Sequence, residues 1–384
     1  MIKIKFKKLA TTSIIASLII GLISLSTMIT IPNVNAATTT LSQDCADNAS
    51  TIAHSLASKL DETKAKSLAS SNSEFNDRTQ GYIISNSDIF NEWQINKTDC
   101  TPVWKDVNIV YFLNDTSGYA KNLVFTLDPE LKTVIKVDEY KAGFAFISNT
   151  HWDGYEFYGN SLHSLTVYKA QAIYNHPTVS KPVSGPTCPS SNTCDLLIWT
   201  GLGNAVGASN GNLAQTGSVS TVNCSTNPCT TSYFMFYEFL PNAYVNCGSI
   251  NANDQISAKI TKGSGSSSLY DVSTVDTYLS KMCTKTGYSY PQLTNPTIAP
   301  FINERDCFTS SCSTIHSLAK FGTDTIVGYM QYNGILNSIS VPYNNSYYTE
   351  DQMWNPSYGA THNVSHNGAG SGSFTETWLS SNNT

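Results

Sequence analysis

The chain has 384 residues, 40% of them hydrophobic and 13% charged, and its formal net charge at pH 7 is −6. This apolar content is enough for a sizeable core and excludes a globally disordered chain. Only two arginines occur, Arg78 and Arg305, so the chain lacks the basic face that nucleic-acid phosphates require, and we expect no nucleic-acid partner.

Residues 1–36 have the three-part pattern of a secretory signal peptide. Four lysines lie within the first eight residues, a mostly apolar run follows from Ile14 to Leu25, and small residues lead up to Ala36. We expect cleavage after Ala36, a secreted chain, and no membrane contact once the signal peptide is removed. An uncleaved anchor is the open alternative, since Leu9 to Ile31 approaches the ~20 residues that a membrane span needs.

Residues 37–144 predict a small α+β unit. Four apolar residues at helical spacing, Ile52, Leu56, Leu60 and Leu68, predict an amphipathic helix that ends near residues 70–73. Three short β-rich runs follow, separated by turn residues. These runs are Val103 to Leu113, Leu123 to Leu127, and Thr133 to Val137.

Residues 145–384 predict a mainly β domain. Short apolar runs recur between clusters of Gly, Ser, Asn and Pro, which is typical of a sandwich or a barrel. The runs are Val167 to Tyr174, Leu196 to Thr200, Tyr233 to Leu240, Gln255 to Ile260, Thr325 to Met330, and Ser373 to Trp378. A flexible turn is expected at Lys262 to Ser268. At Val272 to Met282, the helical and strand interpretations compete.

All ten cysteines follow the predicted signal peptide, and an even number in an exported chain is typical of disulfides. Three pairs lie five or six residues apart and are typical of loops closed by a disulfide: Cys188/Cys194, Cys224/Cys229 and Cys307/Cys312. Cys45 and Cys100 form a possible long-range pair. The sequence leaves the connectivity open.

We expect no metal and no cofactor. No CxxC motif occurs, and zinc sites usually need clustered Cys and His ligands. His362 and His366 are four residues apart, but the Gly and Ser around them do not favour a helix that would place both on one metal. We therefore expect them to be loop residues.

Seven short motifs, taken in order, resemble the glutamic peptidases, or eqolisins. They are HWDGYEFYG (151–159), WTGLGN (199–204), AQTG (214–217), YEFLP (237–241), APFINER (299–305), LAKFGT (318–323) and SFTETW (373–378). The family has NWSGY, WVGIDG, LQTGVD, YEWYP, AEWIVE, LADFGT and a closing strand similar to SFTVTW. The resemblance covers about residues 145–380.

The resemblance implies a concanavalin-A-like sandwich of two antiparallel sheets, with a peptide-binding cleft on the concave sheet. Family members are typically secreted, acid-active endopeptidases made with a propeptide. It therefore implies a peptide or protein substrate, and a propeptide at residues 37–144 that covers the cleft and is removed near residues 140–150. We expect a monomer.

The resemblance also implies site residues. Gln215 takes the place of the glutamine that donates to the oxyanion, Glu238 matches the glutamate of YEWYP, and Glu304 matches the last glutamate of AEWIVE. The general-base glutamate of AEWIVE falls on Pro300, which can neither accept nor donate a proton. At two further positions where the family motifs have an acidic residue, this sequence has Gly203 and Val219.

Pro300 leaves open which carboxylate acts on water. Glu238 is the first candidate and Glu304 the second, while Asp153 or Glu156 could reach the cleft from an adjacent strand. A set of aromatic residues is predicted to bind substrate, with core packing as the alternative role: Trp152, Trp199, Tyr237 and Phe239. The alternative function is a catalytically inactive extracellular module that binds peptides or glycans.

Overall fold

The computed structural model describes residues 40–116, 118–140, 152–159, 162, 164–182, 188, 193–204, 212–263, 267–305, 317–332, 335–338, 348–351, 361–366 and 372–379. The predicted signal peptide at residues 1–36 lies outside these residues, as do Cys307 and Cys312. The described residues all belong to one compact unit that begins at Thr40.

From Thr40 onward, three helices precede the first strand: α1 (Gln43–Ala57), α2 (Glu62–Ser70) and α3 (Ser73–Thr79). Each helix begins after a polar residue whose side chain accepts a hydrogen bond from a backbone N–H of the first turn. These residues are Ser42, Asp61 and Asn72. The caps explain why the structure has three short helices where the apolar spacing alone predicted one.

The strands are numbered along the chain. They are β1 (Ile83–Ile95), β2 (Pro102–Asp115), β3 (Gly118–Leu127), β4 (Val134–Tyr140), β5 (Trp152–Tyr158), β6 (Val167–Asn175), β7 (Thr193–Gly203), β8 (Leu213–Asn223), β9 (Thr230–Phe239), β10 (Val245–Ser249), β11 (Gln255–Lys262), β12 (Leu269–Asp276), β13 (Lys281–Ser289), β14 (Ile298–Glu304), β15 (Ser317–Leu318), β16 (Thr323–Tyr332), β17 (Ile335–Ser338), β18 (Tyr348–Asp351), β19 (Thr361–His366) and β20 (Ser373–Leu379). Each run of residues 145–384 that the sequence predicted as β matches one of these strands, and only the run ending at Leu240 extends a residue beyond its strand.

Two sheets contain all the strands of the described residues. The larger sheet has twelve strands in the order β19-β20-β16-β6-β11-β12-β13-β1-β2-β3-β4, with β17 beside β16. The smaller sheet has eight, in the order β10-β9-β8-β7-β14-β5-β18, with the short β15 beside β7. The sheets share one apolar core, to which Ala258 and Ile260 contribute from the larger sheet and Ile198 and Phe301 from the smaller. The fold is thus the predicted two-sheet antiparallel β-sandwich.

Much of the smaller sheet is buried on both faces. Every residue of β5 and β14 is buried, although side chains alternate between the two faces of a strand. A second apolar cluster, separate from the core between the sheets, lies on the outer face of the smaller sheet. Its buried members are Trp152, Leu197, Trp199, Leu213, Val219, Phe236, Leu240 and Ile302.

The N-terminal strands extend the larger sheet. β1 pairs antiparallel with β13, and β2, β3 and β4 follow in order. Helix α1 packs on the outer face of the larger sheet, where buried alanines such as Ala49 and Ala53 allow close contact with Val275 and Met282. Lys259 on this face forms an ion pair with Asp47 at 2.8 Å. Both sheets therefore separate α1 from the outer face of the smaller sheet, so α1 does not lie over that face.

Two segments clarify what the sequence left ambiguous. Residues 272–282 form the end of β12, a tight turn and the start of β13, and Asp276 accepts hydrogen bonds from the backbone N–H groups of Tyr278 and Leu279 in the turn. The expectation of a loop at His362 and His366 was wrong, because both lie in β19, which pairs with β20. Backbone pairing with β20 thus extends the sheet despite the Gly and Ser nearby.

Four disulfides occur among the described residues. Cys45–Cys100 links α1 to the turn after β1, and Cys188–Cys194 and Cys224–Cys229 close short loops, as predicted. The fourth, Cys247–Cys283, joins β10 of the smaller sheet to β13 of the larger one. No helix within the described ranges is long and apolar enough to cross a membrane.

Candidate active site

Five residues form a row across the outer face of the smaller sheet. Gln215 of β8 lies opposite Glu238 of β9 on one side and Gly201 of β7 on the other. The register of β7 with β14 continues the row to Pro300, and Pro300 lies opposite Glu156 of β5. Directly opposed residues of an antiparallel sheet share a face. The row therefore runs Glu156, Pro300, Gly201, Gln215, Glu238.

The row faces away from the larger sheet. Side chains alternate along a strand, and Ala214, Tyr237 and Phe239, the neighbours of Gln215 and Glu238, all belong to the core between the sheets. Gln215 and Glu238 therefore lie on the same side as Trp199 in the outer cluster. Their exposed fractions are 0% and 1%, respectively.

Gln215 and Glu238 are in direct contact. The Nε2 group of Gln215 donates a hydrogen bond to Oε2 of Glu238 at 2.6 Å. Oε1 of Gln215 has no hydrogen-bond partner among the described residues. The contact fixes the orientation of the amide and leaves a second N–H of Nε2 for another acceptor. The Gln215 amide can thus donate a hydrogen bond to a carbonyl oxygen while the Glu238 carboxyl group lies next to it. Together the two groups can bind and polarise a carbonyl compound.

Glu304 lies on the same face but in a different row. It is opposite Trp152 of β5 and Leu197 of β7, four residues along the strand from Pro300. Four residues correspond to about 13 Å along a strand. The carboxylate accepts a hydrogen bond from Nε1 of Trp199 at 2.7 Å. The structure thus brings Glu304 together with the tryptophans and not with Gln215.

The four aromatic residues predicted to bind substrate divide between the two faces. Trp152 and Trp199 lie edge to face on the outer side, with ring centroids 5.0 Å apart. Tyr237 lies between the sheets, where its hydroxyl donates to Asp88 at 2.9 Å. Phe239 stacks on Tyr288 in the same core at 3.9 Å. Tyr237 and Phe239 therefore do not share a surface with Gln215, and their positions agree with core packing.

Pro300 and Gly201 form a low floor between the two ends of the row. Strand β14 continues through Pro300, and the carbonyl of Pro300 accepts a hydrogen bond from the hydroxyl of Thr200 at 2.9 Å. Gly201 has to be glycine, because an added Cβ would lie 2.6 Å from the carbonyl oxygen of Ala214. Neither residue has a long side chain of its own above the sheet, but the Leu213 side chain approaches Gly201, with its Cδ1 3.1 Å from the added Cβ.

Two buried acids on the inner face, Asp324 and Glu376, were missed in the sequence, and Asp153 lies on the same face. Asp324 of β16 lies opposite Glu376 of β20, and Asp153 of β5 lies opposite Asn303 of β14. Burial raises the pKa of Asp324 to about 7. Burial also raises the pKa of Glu376 well above its ordinary value, and the charges of Asp153 and Asp324 add to this effect. Asp153 thus lies on the opposite face from Gln215, and of the two alternative acids only Glu156 shares its row.

The signal for Asp153 and Glu376 was present in the motifs. The acidic residues of HWDGYEF and SFTETW occupy strand positions at which an ordinary sandwich core would be apolar. No group of three or more His, Cys, Asp or Glu side chains within the described ranges is arranged to hold a metal ion.

The chain is similar to one known protein family and to several solved structures. A model of the peptidase A4 family matches residues 151–350. Scytalido-glutamic peptidase, solved with a peptide-based transition-state analog, is 16% identical over 60% of this chain and 98% of its own, with a TM-score of 0.44. SCP-B, an eqolisin solved with the tripeptide Ala-Ile-His, is 14% identical over 60% of this chain and 98% of its own, with a TM-score of 0.41.

Aspergilloglutamic peptidase from Aspergillus niger is 19% identical over 48% of this chain and 99% of its own, with a TM-score of 0.36. A search of curated proteins finds no match. The family model spans more than half of the chain and includes the strands of the row, β5, β7, β8, β9 and β14. The chain therefore belongs to the peptidase A4 family, the glutamic peptidases.

Proposed function

We propose that the chain is a secreted acid endopeptidase that hydrolyses peptide bonds with a water molecule activated beside Gln215. The observation that carries this proposal is the contact between the Gln215 amide and the Glu238 carboxyl group. Membership of the peptidase family implies a peptide or protein substrate. The four disulfides fit an extracellular protein, since disulfides persist mainly in oxidising compartments.

Each residue has a distinct part in the reaction. The Glu238 carboxylate takes a proton from water while the water oxygen attacks the scissile carbonyl carbon. The carbonyl oxygen becomes an oxyanion, which accepts a hydrogen bond from the free N–H of Gln215. A proton passes to the leaving amine as the C–N bond breaks. Because an amide does not titrate in acid, Gln215 keeps this role at low pH.

The N-terminal part, residues 37–144, is proposed to be a propeptide-like domain cut near residues 140–150. Its described contacts support a stabilising role, because β1 pairs with β13 and α1 packs on the outer face of the larger sheet. A unit held in this way can remain bound after the cut.

The second candidate function is a catalytically inactive module that binds peptides or glycans. Two observations favour it. Pro300 occupies a position of the row where a carboxylate is expected from the family motif, and Gln215 and Glu238 are both buried. A substrate that reaches them has to displace protein atoms above the sheet.

Cleavage of a denatured protein from pH 2 to 6 tests the proposal. We expect cleavage by the purified protein and a loss of at least about 100-fold in the Gln215→Ala and Glu238→Gln variants. Gln171→Ala is the matched control, because Gln171 is also a buried strand glutamine but lies in the larger sheet. Absence of cleavage at every pH, before and after the N-terminal unit is cut off, would support the binding module.

Glu304→Gln separates the two candidate bases. If Glu238 acts on water, this variant retains cleavage within a few-fold of the wild type. If cleavage instead depends on Glu304 and survives Glu238→Gln, the base is Glu304 and the assignment of Glu238 is wrong.

A further inference from the structure

We propose that a cleft between the N-terminal strands and the β9–β10 edge of the smaller sheet binds a neutral sugar. This side cleft has a volume of about 590 Å³, within the range of about 300–1,000 Å³ that is typical of small-ligand sites. Residues on both of its walls carry the argument: Glu92, Asp106, Asn108, Asp138, Tyr140 and Tyr233. Gln215 and Glu238 do not line it, so the inference goes beyond the proposed function and does not depend on catalysis.

The inner face of the N-terminal strands changes from apolar to polar along β2. Alternate residues of a strand share a face. Val110 and Phe112 belong to the core between the sheets, whereas Asp106 and Asn108, on the same face, line the side cleft. Among the described residues, β10 is the last strand of the smaller sheet at this end. The larger sheet thus has polar side chains in the cleft, where a covered sandwich face would be apolar.

Hydrogen bonds hold the polar floor of the side cleft in a defined geometry. Oγ1 of Thr126 donates to Oδ1 of Asn108 at 2.7 Å, and Nδ2 of Asn108 donates to Oε1 of Glu92 at 3.4 Å. On β4, the Tyr140 hydroxyl donates to Oδ2 of Asp138 at 3.3 Å. Carboxylates, amides and hydroxyls have further acceptor and donor capacity. Because a sugar hydroxyl both donates and accepts, adjacent hydroxyls of a sugar match a floor that offers both kinds of group.

The charges of the side cleft favour a neutral ligand. Lys105 lies 3.4 Å from both Glu92 and Asp106, and Lys136 lies 2.8 Å from Asp138. Three carboxylates and two ammonium groups therefore compensate one another within the cleft. A strongly charged ligand gains little attraction from charges that are already paired. Hydroxyl groups can bind to the same side chains without separating the pairs.

Aromatic rings supply the apolar part of the side cleft. Three half-buried rings line it: Tyr140, Tyr233 and Phe234. The face of such a ring is apolar and carries partial negative charge, so the C–H groups on one side of a sugar ring can pack against it. Aromatic faces beside carboxylates and amides thus match both the C–H and the O–H groups of a sugar.

An extended peptide is the competing ligand, and the edge of the smaller sheet does not favour it. A peptide would bind here by adding a strand to β10. The register of β10 with β9 shifts between Asn246 and Ser249, and the Gly248 N–H donates to Oδ1 of Asn246 at 3.1 Å. A bulged edge with an occupied N–H is a poor template for a further strand. The side cleft is therefore better matched to a sugar.

Calorimetric titration of the full chain with four neutral trisaccharides tests the proposal. The probes are cellotriose, maltotriose, mannotriose and the trimer of N-acetylglucosamine. We expect at least one to bind with a Kd between about 10 μM and 1 mM. Asp138→Ala and Tyr140→Ala should each weaken that binding at least about 10-fold, because each removes a hydrogen-bonding group or a ring face from the cleft. Glu130→Ala and Tyr278→Ala are the matched controls, since both residues are exposed and lie outside the cleft.

Asp138→Asn keeps the test independent of folding, because it preserves the size of the side chain and removes only the charge. It should also weaken binding, with an unchanged urea unfolding midpoint as the check on folding. Binding of none of the four sugars up to about 10 mM, or equal binding by the wild type and all three cleft variants, would overturn the proposal. Binding of a triuronic acid or of tetra-alanine in place of the neutral sugars would also overturn it. A chain that binds sugar but cleaves no protein would refute the proposed function alone.

Discussion

Single glycines determine how closely the strands of the site approach. At Gly201 an added Cβ would lie 2.6 Å from the Ala214 carbonyl oxygen and 3.2 Å from Cβ of Gln215. Since the nearest atom belongs to the backbone, no rotamer change relieves the contact. Strand β8 has to shift, and Gln215 shifts with it.

Gly201→Ala should therefore affect both stability and the site. We expect a loss of about 1–3 kcal/mol in the free energy of unfolding, the usual cost of overpacking. We also expect the cleavage rate to fall. Urea unfolding and a peptide cleavage assay measure the two effects. Gly322→Ala is the control, because Gly322 is exposed and no atom lies within 4 Å of its added Cβ. A fully stable Gly201→Ala variant would contradict the close approach.

Part of the site was predictable at the scale of residues. Gln215, Glu238 and Trp199 were predicted to lie together, and the structure places all three on the outer face of the smaller sheet. The sequence did not predict that Tyr237 and Phe239 face inward. Because side chains alternate along β9, Tyr237 and Phe239 lie on the other face of the strand from Glu238. Only the register between strands shows which of the two faces carries the site. The position of Glu156 beside Pro300 also depends on register.

At the scale of elements, the N-terminal strands are joined to the sandwich by a buried ion pair. Lys285 of β13 lies 2.6 Å from Asp88 of β1, and both are nearly inaccessible to solvent. Asp88 also accepts a hydrogen bond from the hydroxyl group of Tyr237. Removing one charge of a buried pair leaves the other without compensation, at a typical cost of 3–5 kcal/mol.

We expect Asp88→Asn and Lys285→Met each to lower the free energy of unfolding by about 3 kcal/mol. The double variant should lose less than the sum of the two, because neither charge is then left alone. Urea unfolding of the four proteins gives the coupling. Glu74→Gln is the comparison, since the exposed pair of Glu74 with Arg78 contributes at most about 1 kcal/mol. Additive losses would contradict the coupling.

Elements were predicted where their pattern is strong. The six runs of residues 145–384 and the three N-terminal runs all became strands, because β-branched and aromatic residues between turns favour extended chain. Strand β1 was missed: residues 83–86 are exposed, and its sequence mixes Ser, Asn and Asp with apolar residues. Its pairing with both β2 and β13 outweighs its weak propensity. Pairing between distant strands is not visible in local sequence.

At the scale of the whole molecule, the contributions of buried titratable groups to stability change with pH in opposite directions. The pKa of Asp324 is raised from 3.8 to about 7 in the folded state, and that of Glu376 is also raised. Their neutral forms favour folding, so their contribution is fully present below about pH 4 and is lost as pH rises through 7. Burial lowers the pKa of His176 to about 3. Its contribution is present above pH 6.5 and is lost as pH falls.

Neutral substitutions separate the effect of the two carboxyl groups on stability from that of His176. Relative to the wild type, Asp324→Asn and Glu376→Gln should become progressively more stable between pH 4 and 8, because they remove a charge that the core disfavours. Melting temperatures at pH 4, 6 and 8 measure this difference. The exposed Glu130→Gln variant should follow the wild type at all three values. A difference that is independent of pH would show that these carboxyl groups do not titrate in the folded protein.

The Cys247–Cys283 disulfide has a mechanical consequence for such pH effects. It fastens the two layers along one margin, at β10 and β13, while Asp324 and Glu376 lie on β16 and β20, beyond β12, β11 and β6. Ionised Asp324 and Glu376 would repel Asp153 of the smaller sheet, so we expect the two sheets to separate first at the edge that this disulfide does not link. The sandwich should open like a hinge, with its pivot at the end where the N-terminal strands are attached.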